Sequence, residues 1–121
     1  MIEAMILILA LLQLKHWYID FVNQSNEEIA SKGIYGDTLG LSHSIKHGAG
    51  TLGVLVFVLG LEYLPYIIIL SLFDFITHYH IDWVKMNYGS NDMKTKEFWN
   101  HLGLDQMAHQ LTYLFIAYSI C

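Results

Sequence analysis

Four apolar segments of about 20 residues each restrict what this chain can fold into. They cover residues 2–22, 39–61, 66–86 and 97–120, and two polar stretches and one tight turn separate them. A helix of about 20 apolar residues crosses the hydrocarbon core of a bilayer, because each residue rises about 1.5 Å. Hydrophobic residues make up 55% of the chain and charged residues only 14%, against roughly 25% in soluble proteins. We therefore predict an all-α fold, a four-helix transmembrane bundle formed by a single domain of residues 1–121.

A soluble four-helix bundle is the alternative fold. Helices of a soluble bundle have one apolar face and one polar face. The runs MILILALL, TLGVLVFVLGL, PYIIILSLF and LTYLFIAY show no polar face at the helical period, which favours the membrane bundle. Small residues such as Ala49 and Gly53 in the second segment would let membrane helices approach each other closely.

The distribution of charge predicts an orientation in the membrane. All six basic residues are lysine, and Lys32, Lys94 and Lys96 lie in the two polar loops. The termini and the middle turn carry only Glu3 and Glu62. The positive-inside rule then places both long loops in the cytoplasm and both termini outside, as in a bacterial inner-membrane protein. The net charge of −5 argues against a nucleic-acid partner, which leaves the lipid bilayer as the predicted partner.

Each apolar segment carries histidine or aspartate residues four positions apart, near the end that adjoins a long loop. Side chains at positions i and i+4 lie on the same face of a helix. A bundle would therefore bring these residues together at its cytoplasmic end. They are His16 and Asp20, His43 and His47, His78 and Asp82, and Asp105 and His109, with Asp74 one turn below His78.

These residue types predict a metal site. Ionisable side chains inside an apolar bundle are costly unless they pair with each other or with a metal ion. Histidine nitrogen with aspartate oxygen suits Zn²⁺, Mn²⁺ or Fe²⁺ better than Ca²⁺ or Mg²⁺. Eight such ligands exceed what one tetrahedral ion needs, so we predict one to three ions, zinc first, with surplus groups orienting the histidine rings.

Other polar residues near this end complete the predicted site. Lys46, Lys85 and Gln106 are predicted to bind an anionic group of the substrate, with phosphate as the obvious candidate. Asp74 is predicted to be the general base, because it lies one turn from the ligands without belonging to them.

Residues just outside this set are given ordinary roles. Lys15 is predicted to extend toward the lipid headgroups, and Glu27 and Glu28 are predicted to be solvated charges in a loop. Asp37 or Thr38 is predicted to cap the second helix.

Four motifs in this order resemble a family of small bacterial and phage membrane proteins of unknown function. They are His-x3-Asp-Phe-x2-Gln from His16, His-x3-His from His43, His-x3-Asp-x2-Lys from His78 and Asp-Gln-x2-His from Asp105. More distantly, the pattern is similar to YdjM-like membrane-bound metal-dependent hydrolases and to zinc-dependent phospholipase C. The resemblance implies a metal-dependent hydrolase of a phosphoester, with a lipid or a nucleotide derivative as the substrate.

Two functions of other classes stay open. Hydrogen bonds between histidine and aspartate often hold membrane helices together, so the set could be structural in an accessory protein without catalysis. Intramembrane ionisable residues also mark metal or proton pathways, which makes a carrier the other alternative. A pathway needs polar groups across the whole span, and the helix halves away from the long loops are apolar here. These apolar halves favour a binding site over a pathway through the membrane. The sequence does not determine the oligomeric state, and an oligomer is possible.

Overall fold

The computed structural model describes residues 1–120, so Cys121 lies outside the described part of the chain. Residues 1–120 form helices and contain no strand, which confirms the all-α prediction. A 3-10 turn over Leu61–Tyr63 joins the second long helix to the third. The helices are α1 (Ile2–Trp17), which continues as a π-helical turn over Tyr18–Val22, α2 (Asn26–Ser31), α3 (Thr38–Leu59), α4 (Leu64–Tyr88) and α5 (Lys96–Ile120).

The four long helices form a ring in the order α1, α3, α4, α5. Both α1 and α4 pack against α3 and against α5. An apolar core fills the end of the ring that lies away from the two long loops, and it includes Ile8, Leu12, Leu55, Ile67 and Ile116. The other end, next to the long loops, is left for polar side chains.

Two of the long helical stretches are long and apolar enough to cross a membrane. They are Ile2–Val22 and Leu61–Tyr88, and within residues 1–120 neither α3 nor α5 meets the same criterion. The prediction of four membrane spans is therefore supported for only two of the four long helices. The reason lies in the composition of α3 and α5, because each carries two histidines besides lysine, and α5 adds Glu97, Asp105 and two glutamines.

Glycine lets α3 approach its neighbours closely at two positions. A Cβ atom on Gly48 would lie 3.1 Å from the Cβ of Phe75 in α4, and one on Gly50 would lie 2.7 Å from the Cγ of Lys15 in α1. A Cβ on Gly53 would meet no atom within 4 Å. The close approach expected from small residues is therefore present, but Gly53 does not contribute to it.

The polar segment before α3 is folded and is not an open loop. The Ser25 hydroxyl accepts a hydrogen bond from the Glu28 backbone nitrogen at 3.1 Å, and the Glu28 carboxylate accepts one from the Ser25 nitrogen at 3.0 Å. This capping box starts α2. Asp37 caps α3, as predicted, by accepting from the Leu39 nitrogen at 3.0 Å. Hydrogen bonds from the Ser31 hydroxyl and the Leu39 nitrogen hold the pKa of Asp37 below its usual value.

Candidate metal centre

Eight buried side chains meet at the loop end of the bundle, and they are the eight that the sequence predicted as metal ligands. None of them is more than 8% exposed. They form three overlapping groups that could hold a metal ion, and within each group the ligand atoms lie within 4.8 Å of one another. The groups are Asp20, His43, His47 and His78; His16, His78 and His109; and Asp82, Asp105 and His109.

Asp20 is the carboxylate at the centre of the first group. Its Oδ1 lies 2.7 Å from Nε2 of His47, 2.9 Å from Nε2 of His43 and 3.7 Å from Nε2 of His78. One oxygen atom therefore faces imidazoles from both α3 and α4. This arrangement requires α1 to turn Asp20 toward the interior at the point where the helix ends.

The π-helical turn at the end of α1 presents Asp20 in this way. The Asn23 nitrogen donates to the carbonyl oxygen of Tyr18 at 2.8 Å, five residues back instead of four. The Gln24 side chain then donates to the backbone carbonyl of Asp20 at 2.8 Å. Single π-helical turns are frequently found at functional sites. The glutamine of the first motif thus has a structural role, because it caps the wide turn that carries the carboxylate.

His78 and His109 join the first group to the second and third. The His78 ring stacks on His47 with centroids 3.5 Å apart and on His109 with centroids 4.1 Å apart. Asp82 places Oδ2 3.1 Å from Nε2 of His78 and Oδ1 3.2 Å from Nε2 of His109. Asp105 Oδ1 lies 3.4 Å from that same His109 nitrogen. The three groups are therefore one continuous cluster.

Several buried atoms of the cluster make no hydrogen bond within residues 1–120. Buried polar atoms are nearly always hydrogen-bonded, so each exception calls for an explanation such as an ion or a water molecule. Imidazole nitrogen beside carboxylate oxygen is the donor set that zinc takes in proteins. The residues present therefore fit a bound metal ion. The atoms without a hydrogen bond are Nδ1 of His43 and His47, both ring nitrogens of His78, Oδ2 of Asp82 and Oδ1 of Asp105. Among them, Nε2 of His78 and the two carboxylate oxygens do lie within ion-pair distance of a charged neighbour.

His16 is held by three neighbours. The Tyr113 hydroxyl lies 3.0 Å from its Nδ1, while Oε1 of Gln106 lies 2.9 Å and Oδ2 of Asp20 3.3 Å from its Nε2. Gln106 also donates to Oδ2 of Asp105 at 3.0 Å. Gln106 contacts two of the candidate ligands and also lines the pocket above the carboxylates, so its predicted role in substrate binding stays a prediction.

Of the two lysines predicted to bind substrate, only Lys85 lies beside the cluster. Its Nζ is 3.9 Å from Oδ2 of Asp105. Lys46 instead pairs with Glu28 and lies 3.3 Å from Oδ1 of Asn23, so the structure does not bring it to the cluster. The unexpected cation is Lys32, whose Nζ lies 3.3 Å from Oδ2 of Asp82.

Glu28 is buried, so the prediction of a solvated loop charge is wrong for this residue. Burial raises the pKa of its carboxyl, but hydrogen bonds from Lys46 and from the Ser25 backbone nitrogen outweigh this and hold the pKa below its usual value. Its Oε2 lies 4.0 Å from Nδ1 of His43. The short helix α2 therefore closes the cluster on the loop side and places a carboxylate behind one of the histidines.

Asp74 belongs to a separate polar layer beneath the cluster. Its Oδ2 accepts from Nζ of Lys15 at 2.8 Å and from the Thr51 hydroxyl, and Lys15 also donates to the His47 carbonyl at 3.2 Å. The Lys15 side chain is 6% exposed, so the prediction that it extends to the headgroups is wrong. The predicted role of Asp74 as general base stays a prediction, and its carboxylate is paired with Lys15 and Thr51 in this layer.

A polar pocket of about 370 Å³ opens above the carboxylates, within the roughly 300–1,000 Å³ typical of small-molecule sites. Asp20, Asp82 and Asp105 line it together with Lys32 and Lys85. A small molecule in this pocket would contact both the cluster and the two cations.

The fold and the cluster define this protein as an all-helical bundle with a buried histidine–aspartate centre that could hold metal. The chain belongs to the DUF3307 family, described as a protein of unknown function, whose family model matches residues 7–121. No curated protein and no solved structure matches the chain. The predicted membership in a family of unknown function is thus confirmed, and the similarity to YdjM-like hydrolases gains no support from these comparisons.

The partners that the sequence analysis missed include Thr51 and Tyr113. Thr51 follows His47 by four positions, and Tyr113 follows His109 by four. The spacing rule that found the ligands would therefore have found both, had it been carried one turn further to side chains that are not metal ligands.

Proposed function

We propose that this protein is a membrane-embedded, metal-dependent hydrolase that acts on a phosphoester at the cytoplasmic membrane boundary. The observation that carries the proposal is the cluster of eight buried ligand groups, with unpartnered imidazole nitrogens, beneath a polar pocket. Zinc is the proposed metal, with manganese or iron as alternatives. The cluster has eight ligand groups, and one tetrahedral ion takes only four, which suits two or three ions better than one.

The surface and interior of the bundle support its placement in a bilayer. Fifteen polar or charged side chains are buried within residues 1–120, against ten hydrophobic ones. Large apolar side chains are exposed instead, including Phe57 at 76%, Ile69 at 62% and Phe115 at 52%. An apolar exposed surface of this kind marks contact with a membrane or a partner. This arrangement supports a bilayer around all four long helices.

Helices α3 and α5 suit a membrane in this arrangement despite their polar residues. They have 22 and 25 residues, which corresponds to about 33 and 37 Å at the usual rise and exceeds a hydrocarbon core of about 30 Å. Their histidines His43, His47 and His109 and the carboxylate of Asp105 are buried inside the bundle. We place both long loops in the cytoplasm, because they carry Lys32, Lys94 and Lys96.

The charges at the pocket fit an anionic substrate once metal is bound. Asp20, Asp82 and Asp105 supply three negative charges, and Lys32 and Lys85 supply two positive ones. With neutral histidines, two divalent ions would bring four further positive charges, so the positive charges would exceed the negative ones by three. A phosphate group complements such a site through charge and through hydrogen bonds.

The residues of the chain have separable roles in this proposal. When bound, the metal supplies a Lewis acid and a water molecule with a pKa lowered toward about 7. Tyr113 lies behind the ring of His16 at hydrogen-bond distance and orients it, as partners of metal ligands commonly do. The Glu28 carboxylate lies 4.0 Å from Nδ1 of His43 and adds a negative charge on that side. Lys32 and Lys85 hold the phosphate at the mouth of the pocket.

Elemental analysis of the full chain, purified in detergent after loading with zinc, manganese or iron, tests the metal. We expect at least one equivalent, and a His78→Ala variant is expected to lose most of it. His80→Ala is the matched control, since His80 lies on the same helix but bonds to the Tyr35 hydroxyl at 3.0 Å, outside the cluster. Less than one equivalent in the parent protein would overturn the proposal.

Hydrolysis is tested with bis(p-nitrophenyl) phosphate, a water-soluble chromogenic diester. The metal-loaded protein and the His80→Ala variant are expected to release p-nitrophenol, and the His78→Ala variant is not. A protein that binds metal fully but cleaves neither this diester nor a monoester would refute the hydrolase.

A metal or proton carrier is the second candidate. The layer of Lys15, Thr51 and Asp74 favours it, because polar groups extend one turn deeper than the sequence indicated. The apolar core around Ile8 and Leu55 then closes the bundle below this layer, which favours a site over a conduit. Uptake of zinc into proteoliposomes would distinguish the carrier from the hydrolase.

A further inference from the structure

An apolar groove adjoins the polar pocket on the outside of the bundle. It lies between α4 and α5, has a volume of about 410 Å³, and is lined by apolar side chains such as Ile81, Val84 and Leu104. Lys85 and Asp105 line both the groove and the polar pocket. The two cavities therefore meet at one ion pair. The polar pocket combines charged groups with apolar side chains such as Phe98 and Leu102, whereas the groove is lined mainly by apolar groups.

We propose that this groove holds the hydrocarbon chain of a phosphate-bearing lipid whose phosphate lies in the polar pocket. This inference has two parts. The first part, that the lipid binds, rests on the paired cavities alone. The second part, that the lipid is the substrate, rests on the hydrolase proposed above.

The shape of the groove fits one end of an acyl chain. On α4 it extends from His80 to Tyr88, which is about 12 Å along the helix axis. Gly89 and Ala108 contribute little side-chain volume to its lining. A soluble phosphoester would use the polar pocket without filling this apolar space, whereas a single-chain lipid phosphate has one part for each cavity.

The position of the groove also fits a ligand that arrives from the bilayer. Val84 is 49% exposed and Leu104 is 50% exposed, so the groove opens on the lipid-facing surface proposed for the bundle. A lipid could then enter sideways, keeping its chain in hydrocarbon while its phosphate approaches Lys85 from the membrane boundary.

Calorimetric titration of the purified full chain in maltoside detergent tests the binding half with three probes. They are 1-myristoyl lysophosphatidic acid, monomyristin, which has the chain without the phosphate, and glycerol 3-phosphate, which has the phosphate without the chain. The complete lipid is expected to bind at least about tenfold more tightly than either part. Equal affinity for monomyristin would overturn the phosphate contact, and equal affinity for glycerol 3-phosphate would overturn the groove.

A matched pair of variants on α4 locates the chain. Val84→Trp fills part of the groove and is expected to weaken the binding of lysophosphatidic acid at least about threefold, because the larger side chain displaces part of the acyl chain. Ile76→Trp places the same side chain at a position that is 51% exposed but outside the groove. This variant is expected to leave the affinity for lysophosphatidic acid unchanged. Equal effects of the two variants, with circular dichroism unchanged, would refute the assignment.

Binding and hydrolysis are read out separately. Mass spectrometry of the lipid after titration shows whether it was cleaved. If it was not cleaved, the affinities of the three probes still test whether the lipid binds. Conversely, if the protein cleaves the soluble diester but binds all three probes equally, the hydrolase proposal is supported and the lipid proposal is refuted.

Discussion

Replacing Lys15 with methionine removes a buried cation and keeps a side chain of similar length. The ammonium lies 2.8 Å from Oδ2 of Asp74, and the two side chains are only 6% and 1% exposed. Asp74 would keep the Thr51 hydroxyl as a donor but would lose its counter-charge. Breaking a buried ion pair by removing one partner costs about 3–5 kcal/mol, because the remaining charge is uncompensated. We expect Lys15→Met to lower the free energy of unfolding by that amount.

The double variant Lys15→Met, Asp74→Leu separates the cost of an orphaned charge from the value of the pair. Apolar replacement of a whole buried pair is often neutral or stabilising, so the double variant is expected to recover most of the loss. Lys94→Met, in an exposed loop, is the control and is expected to change stability by less than about 0.5 kcal/mol.

Denaturant titration in maltoside micelles, followed by circular dichroism with chelator present, measures these free energies without a contribution from metal. A cost below about 1 kcal/mol for Lys15→Met would refute the account of a buried pair. A double variant no more stable than Lys15→Met would refute the argument that the orphaned carboxylate causes the loss.

Two further predictions concern packing and orientation. Gly50→Ala places a Cβ 2.6 Å from Cδ of Lys15, so we expect denaturant titration to show a free energy of unfolding lowered by about 1–3 kcal/mol. At Gly53 a Cβ would meet no atom within 4 Å, so Gly53→Ala is expected to leave this free energy unchanged or to raise it by up to about 1 kcal/mol. Equal effects of the two variants would contradict the close approach of α1 and α3. A membrane-impermeant maleimide is expected to label Cys121 in intact cells, but to label Lys94→Cys in a Cys121→Ser background only after lysis. The opposite pattern would invert the proposed orientation.

Local spacing explains why the candidate ligands could be predicted. Two residues four apart on a helix share a face whatever surrounds them, so His43 with His47 needed no knowledge of the fold. The neighbour relations between helices were harder to predict. Lys15 is adjacent to His16 in the sequence, but it contacts Asp74 in another helix. This contact depends on the relative depth of α1 and α4, which cannot be predicted from the spacing of residues within one helix.

The folded segment before α3 was missed for a different reason. Its polar composition predicted a loop, yet Ser25 and Glu28 carry the S-x-x-E pattern of a capping box, which could have been recognised in the sequence. The burial of Glu28 depends in addition on its pairing with Lys46 of α3. Such a tertiary contact is not encoded in the local pattern.

The π-helical turn at Tyr18–Val22 makes the length of this segment as important as its residues. Deleting one residue between His16 and Asp20 would rotate Asp20 by about 100° relative to His16. The carboxylate of Asp20 would then point away from α3, even though every motif residue was still present. In an alignment of family members, a one-residue gap in this segment therefore identifies chains that have the same motif residues but cannot form the same centre.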